Sequence, residues 1–308
     1  MPYSWSARLR RAVGDAVECL LLPAVAVVLP WRWTFRLYRR LAESAVFVPE
    51  LTANALAGAQ AWRPVPDPRA WAVAFRLTFL VDAADFFLLP TRSDAWIDRH
   101  IRLEGDPWPE TPFMAVTFHY GVAVWAIRHM RRAGWRVSLL SNPVDKATYG
   151  KAWLRYAMAC WRMREFARTS GAPVIYTGGS RAAMHDALRA GVCVTGAIDL
   201  PGSRTRDAVR VEFLGREAWF PASLLRIARA ESVPVVVYSM AHEHATGMRT
   251  LRVRRVPCGD DASQVAFIVG ELETLITRNP TAWHFWSMLP LFFVPPSGVA
   301  VEGHHVNA

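Results

Sequence analysis

FMAVTFHYGVAVWAIRHM (113–130) is the stretch whose reading decides the fold. Phe113–Phe118 is a short apolar run of the kind found in a strand covered on both faces. His119 stands at its carboxyl end, Gly121 permits a tight turn, and a helix is expected to begin at about Val122. In open α/β sheets the crevice beyond the strand ends is where ligands bind. A histidine there can act as a general base, because its ordinary pKa lies near neutrality; the alternative is a turn residue with its nitrogens satisfied locally.

Downstream, short apolar runs alternate with helical patterns. Strands are expected at Arg136–Leu140, Val174–Tyr176, Val192–Ala197, Val209–Phe213, Val235–Ser239 and Thr250–Val256. Helices are expected at Val122–Ala133, Tyr149–Cys160, Arg181–Ala190, Pro221–Ala230 and Ala262–Thr277. That alternation predicts an α/β domain, a mixed sheet flanked by helices. Upstream the texture is helical, over 34–60 and over the apolar 69–90, with Pro64, Pro66 and Pro68 at the join.

The N-terminal AVECLLLPAVAVVLP (16–30) is flanked by Arg8, Arg10 and Arg11 on one side and by Trp31, Arg32 and Trp33 on the other. It is shorter than the ~20 apolar residues of a spanning helix and carries Glu18 and Pro23. It is read as a membrane-embedded or hairpin anchor on the cytoplasmic face, the alternative being a buried helix. WRWTFRLYRR (31–40) suits an interfacial segment, rings at headgroup level and guanidinium groups on phosphates. The division expected is an N-terminal membrane-associated helical region (1–45), the α/β domain (46–300) and a short polar tail (301–308).

Composition supports lipid contact. Fourteen of 308 residues are Trp, which favours boundaries between apolar and wet surroundings. The formal charge is +10, and Lys146 and Lys151 are the only lysines, so the cations are arginines suited to phosphate and carboxylate. No zinc-finger spacing, RNA-binding signature or basic tail is present, which points away from nucleic acid and toward anionic membrane lipid or an acidic carrier. Cys19, Cys160, Cys193 and Cys258 have no CxxC spacing and read as reduced, mostly buried thiols. No metal site is indicated.

Several blocks together resemble the lysophospholipid acyltransferase superfamily, and within it the late lipid A (lauroyl/myristoyl) acyltransferases of bacterial inner membranes. They are VVLPWRWTFRLYRRLA (27–42), WIDRHIRLEG (96–105), SNPVDKATYGKAWLR (141–155), HDALRAGVCVTGAIDLPG (185–202), VEFLGREAWFPASLLRIARAESVPVVVYSM (211–240) and RNPTAWHFWSMLPLFF (278–293). The resemblance implies a glycerolipid acyltransferase-like fold at the cytoplasmic face of the cell inner membrane. It implies a donor that is an acyl carrier protein or coenzyme A thioester, with no cofactor beyond that co-substrate. The acceptor would be a hydroxyl or amine of a lipid, glycolipid or amphiphilic metabolite.

The family motif is a His followed, after four residues, by Asp or Glu; here that position is Val124. A carboxylate beside such a His sets its tautomer and stabilises the imidazolium, and valine does neither. No other His of the chain before the tail has an acid at that spacing. Asp199, in the AIDLPG loop after the Val192–Ala197 strand, is the candidate replacement, because strand-end loops of one sheet converge; its alternative role is a turn acid. Arg162 and Arg164 in WRMREF resemble the family's basic pair and are candidates for oxyanion stabilisation, or form a solvated basic face. Arg204 and Arg206 are candidates for acceptor phosphate, or decorate a loop. Asn142 reads as a turn residue. The helix 69–90 and HFWSMLPLFFVPP (284–296) line an acyl channel or simply pack the core. The rival functions are an acyl-binding or scaffold protein that has lost catalysis, and a serine hydrolase. The GGS at 178–180 makes no GxSxG elbow for the latter.

Overall fold

The run Met114–Thr117 forms a strand with every residue buried, and the rest of the chain is arranged around it. The computed structural model describes residues 13–150, 152–204 and 207–296, with only the backbone of Arg204. A π-helical turn (Val17–Leu21) leads into α1 (Leu22–Val28), followed by α2 (Trp31–Ala42), α3 (Pro49–Trp62), α4 (Pro68–Leu88) and α5 (Asp94–His100). Next come β1 (Ile101–Gly105), β2 (Met114–Thr117), α6 (Val124–Arg132), β3 (Val137–Ser141), α7 (Lys146–Tyr149), α8 (Trp153–Ser170), β4 (Ile175–Tyr176), α9 (Ser180–Arg189) and β5 (Cys193–Ala197). The last described elements are β6 (Ala208–Phe213), β7 (Arg216–Pro221), α10 (Ser223–Ala230), β8 (Val235–His242), β9 (Arg249–Arg255), α11 (Asp261–Arg278) and α12 (Leu289–Phe292).

Seven strands form one sheet in the order β1-β9-β8-β2-β5-β3-β4. β2 lies between β8 and β5, parallel to both, while β9 runs antiparallel to β8. The expected mixed α/β sheet flanked by helices is therefore present. Alternate residues of a strand face opposite sides, and the core divides accordingly. Met114, Val116, Val235 and Val237 join one cluster with Leu188, Leu225 and Leu272. Ala115, Val236 and Tyr238 join the other with Trp31, Phe35, Trp96 and Trp125. The first thirty described residues thus contribute directly to the core.

Three expectations are corrected in detail. The helix expected over 34–60 is two, α2 and α3, interrupted between Ala42 and Pro49. Proline disfavours helical geometry at the residue before it, and Val48 instead takes φ 40°. WIDRHIRLEG (96–105), which the resemblance implies is a lead-in strand, is half helix (α5) and half edge strand (β1). The block with Arg162 and Arg164 lies inside α8, which runs ten residues further than expected, to Ser170. The hairpin partner β7 was absent from the sequence reading; β6 and β7 form a separate two-stranded sheet.

Among the described residues no helix is long and apolar enough to cross a membrane. The helical stretch 13–28 is about 24 Å long at 1.5 Å per residue, against ~30 Å of hydrocarbon in a bilayer. Pro30 ends it by forcing Leu29 into extended geometry.

Candidate active site

Two parallel strands and a returning C-terminal segment build the site. β2 delivers His119 two residues beyond Thr117, and β5 delivers Asp199 two residues beyond Ala197. The ladder continues past both ends, with Ile198 N–H donating to the Thr117 carbonyl at 2.9 Å. The two side chains therefore emerge from adjacent strands at the same edge. His119 Nδ1 lies 2.9 Å from Asp199 Oδ1. The His119 backbone N–H donates to the same carboxylate, at 3.0 Å to Oδ1 and 2.8 Å to Oδ2.

Asp199 is fully buried, and its second oxygen accepts from Trp283 Nε1–H at 3.0 Å. An aspartate carboxylate is acceptor-only, so the imidazole proton is assigned to Nδ1. Nε2 then holds a lone pair, and it has no protein partner among the described residues. The His119 side chain is 40% exposed and stacks on Phe285 with centroids 4.0 Å apart. This is a histidine with one nitrogen locked and the other presented to the surface.

The turn after His119 requires glycine. Gly121 has φ +65°, and a Cβ there would lie 2.1 Å from the Met240 carbonyl oxygen. Its N–H donates to the Ala282 carbonyl at 2.7 Å, and Val122 N–H donates to Met240 at 2.9 Å. Both amides are committed, so neither is free to serve an oxyanion. The C-terminal segment closes the other side. His284 N–H donates to the His119 carbonyl at 2.9 Å, Tyr120 and Trp283 form an antiparallel bridge, and His284 Nε2 lies 3.2 Å from the Gly121 carbonyl.

The structure brings together His119 and Asp199. It does not bring the arginine candidates to them. Arg162 reaches Asp82 at 3.9 Å and lies over the Phe86 ring at 4.4 Å. Arg164 lines a separate surface groove with Pro143 and Tyr176. Neither contacts His119 or Asp199 among the described residues. The Arg204 side chain and Arg206 lie outside the described residues. Asn142 is a loop residue whose Oδ1 accepts from Thr177 Oγ1 at 2.8 Å.

Trp283, His284 and Phe285 are the site residues that sequence reasoning missed as such. Phe285 and His284 had been read as channel or core, and Trp283 had no individual role. The available signal was three consecutive side chains with polar or stacking capacity inside a block already singled out.

Burial depresses His284 to a pKa of about 4, with the charge of His119 acting in the same direction and the Gly121 carbonyl opposing. His100, His129, His242 and His244 are also lowered, in each case chiefly by burial. A histidine whose pKa is lower in the fold binds fewer protons there than in the unfolded chain, so stability is lost as pH falls below the unfolded value of about 6.5. Asp82, pushed up to about 6 by burial, and Asp85, also raised chiefly by burial, work in the opposite sense, two groups against five. Calorimetry should therefore show Tm falling between pH 7 and pH 5, each unit of displacement contributing up to about 1.4 kcal/mol. His284→Gln, which cannot titrate and keeps a donor for Gly121, should make the fall shallower. A pH-independent Tm over that range would contradict the assignment.

Compared with models of known protein families the chain matches none, and no curated protein matches it.

Proposed function

We propose that this chain is a membrane-associated acyltransferase of the lysophospholipid acyltransferase type. In this reading it moves a fatty acyl chain from an acyl carrier protein or coenzyme A thioester to a hydroxyl or amine of a lipid, glycolipid or amphiphilic metabolite. The observation that carries the reading is the 2.9 Å contact between His119 Nδ1 and the buried Asp199. It supplies, from another strand, the carboxylate that Val124 lacks.

His119 Nε2 accepts the proton of the acceptor hydroxyl or amine as that atom attacks the thioester carbonyl. The tetrahedral intermediate collapses, the carbon–sulfur bond breaks, and the leaving thiolate takes the proton back from the imidazolium. Asp199 holds the tautomer and stabilises the imidazolium between the two transfers. The thioester is already activated, so no acyl-enzyme is needed.

Membrane association rests on α2. Its buried face is Trp31, Phe35 and Tyr38, while Arg32, Trp33, Arg36, Arg39 and Arg40 are exposed. Arg32 and Arg36 flank the Trp33 ring at 5.6 and 5.1 Å. An aromatic ring among exposed guanidinium groups matches an anionic headgroup layer, as on the cytoplasmic face of an inner membrane.

The test is direct. Purified protein in detergent is offered acyl-carrier and coenzyme A thioesters with a total lipid extract, and products are read by mass spectrometry. An acylated lipid should form with wild type and fall by at least about 10²-fold in His119→Ala, the ordinary contribution of a general base. Thiol release without an acylated product would instead make the protein a thioesterase, and product formation that survives the substitution would remove His119 from the chemistry.

A further inference from the structure

A cavity of about 260 Å³ opens between α4, α8 and the N-terminal helices. Leu51, Phe79 and Met158 give it apolar walls, and its charged lining is Arg76, Arg155 and Arg162 with Glu18 and Asp82; His284 also lines it. His119 is not among its lining residues. The size is near the lower end of small-molecule sites, enough for part of an amphiphile.

Arg76 is the unusual group in this wall. It is only 6% exposed, and its Nε donates to the Ala42 carbonyl at 2.7 Å. Its two terminal nitrogens have no hydrogen-bond partner among the described residues, and no carboxylate lies within 4 Å. The only acidic side chain outside the described residues is Glu302. The neighbouring cations differ. Arg155 is held by Asp15 at 2.7 Å and Glu18 at 2.6 Å, and Arg162 has Asp82 at 3.9 Å. A buried charge is ordinarily paired, because withdrawing it from water costs several kcal/mol. Arg76 is thus a largely buried cation whose terminal nitrogens reach the cavity with no carboxylate within 4 Å among the described residues.

The cavity wall carries a second anomaly. Val48 takes φ 40° and ψ 50°, a left-handed geometry that a β-branched residue rarely adopts. It lines the same cavity, and strain of this kind concentrates at ligand clamps and active sites.

We infer that this cavity binds an anionic amphiphile, its phosphate or carboxylate head on Arg76 and its alkyl chain against Leu51, Phe79 and Met158. Arginine presents a planar fork of donors that matches either oxyanion. The cavity shares His284 with the candidate active site, but neither His119 nor Asp199 lines it, and its occupancy does not depend on acyl transfer.

Calorimetric titration of the full chain with dodecyl phosphate, dodecanoate, dodecanol and inorganic phosphate tests this. One equivalent of dodecyl phosphate or dodecanoate should bind about tenfold or more tightly than dodecanol, the worth of a charge-assisted hydrogen bond. Inorganic phosphate should bind far more weakly; equal affinity for it would overturn the amphiphile assignment. Arg76→Met should lose the preference for the charged head without lowering Tm by more than the loss of one hydrogen bond requires. A Met variant that is destabilised yet binds dodecyl phosphate as before would make Arg76 a structural pin and overturn the inference. If that variant does not fold, Met158→Trp decides: it fills the cavity with Arg76 intact and should abolish binding of every alkyl probe. Retained binding would place the amphiphile elsewhere.

Discussion

Asp199→Asn is expected to lower the kcat of the proposed acyl transfer by about 10³- to 10⁴-fold, the scale seen when the carboxylate behind a catalytic histidine is replaced by its amide. The carboxylate accepts from His119 Nδ1, the His119 backbone and Trp283 Nε1. An asparagine of the same shape has one acceptor oxygen and must point its NH₂ at a former donor. The ring can relieve that conflict by moving its proton to Nε2, which removes the base. Imidazole NMR should report the proton on Nδ1 in wild type and on Nε2 in the variant, independently of turnover. The companion substitution is Val124→Glu, which places an acid five residues after His119. Val124 is only 6% exposed, in the core cluster with Trp125 and Ile127, so a carboxylate there is buried without a partner and destabilises the fold. No gain in activity is expected. A Val124→Glu enzyme faster than wild type, beside an unaffected Asp199→Asn, would show that His119 was waiting for the motif acid.

The second large effect is on stability. Arg249 and Asp85 are both completely buried and form two hydrogen bonds: Nε to Oδ2 at 2.8 Å, and Nη2 to Oδ1. Arg249 also donates to the Gly247 carbonyl at 3.2 Å and lies over the Trp31 and Trp96 rings at 4.1 and 5.4 Å. One residue therefore ties β9 to α4, α2 and α5. Arg249→Met leaves Asp85 buried and unpaired and should cost about 3–5 kcal/mol, which lowers Tm by roughly 5–10 °C for a chain of this size. The double variant Asp85→Leu, Arg249→Met should recover most of it, because two apolar groups carry no desolvation penalty. Equal instability of the single and double variants would make packing over the tryptophans, and not charge, the source of the loss.

Legibility of the fold followed local chemistry. β2 and its turn were readable because a short apolar run ending in His119 and Gly121 has few other solutions. β7 was not, since REAWFP opens on two charges and ends on proline. Its turn is also atypical. Leu214 and Gly215 both take positive φ, a pattern usually met by Asn-Gly, and Leu214 is stabilised there by its N–H on the Glu273 carboxylate. The place of the arginine pair in α8 was not legible for a related reason. A basic pair has the same appearance in sequence whether it faces a catalytic histidine, a cavity or water.

By itself the sequence determined that a buried strand ends on His119, that Gly121 turns the chain, and that no carboxylate stands five residues after His119. It also singled out Asp199 as the candidate carboxylate, since strand-end loops of one sheet converge. Only the tertiary structure decided that β5 lies next to β2, so that Asp199 reaches Nδ1. It alone brought Phe285 back across more than 160 residues of chain to His119, and Trp283 across 84 to Asp199, to clamp the pair. The cavity with an unpaired Arg76 belongs to the same category. Periodicity records which face of an element is buried, whereas contacts between distant segments depend on which faces the whole core brings together.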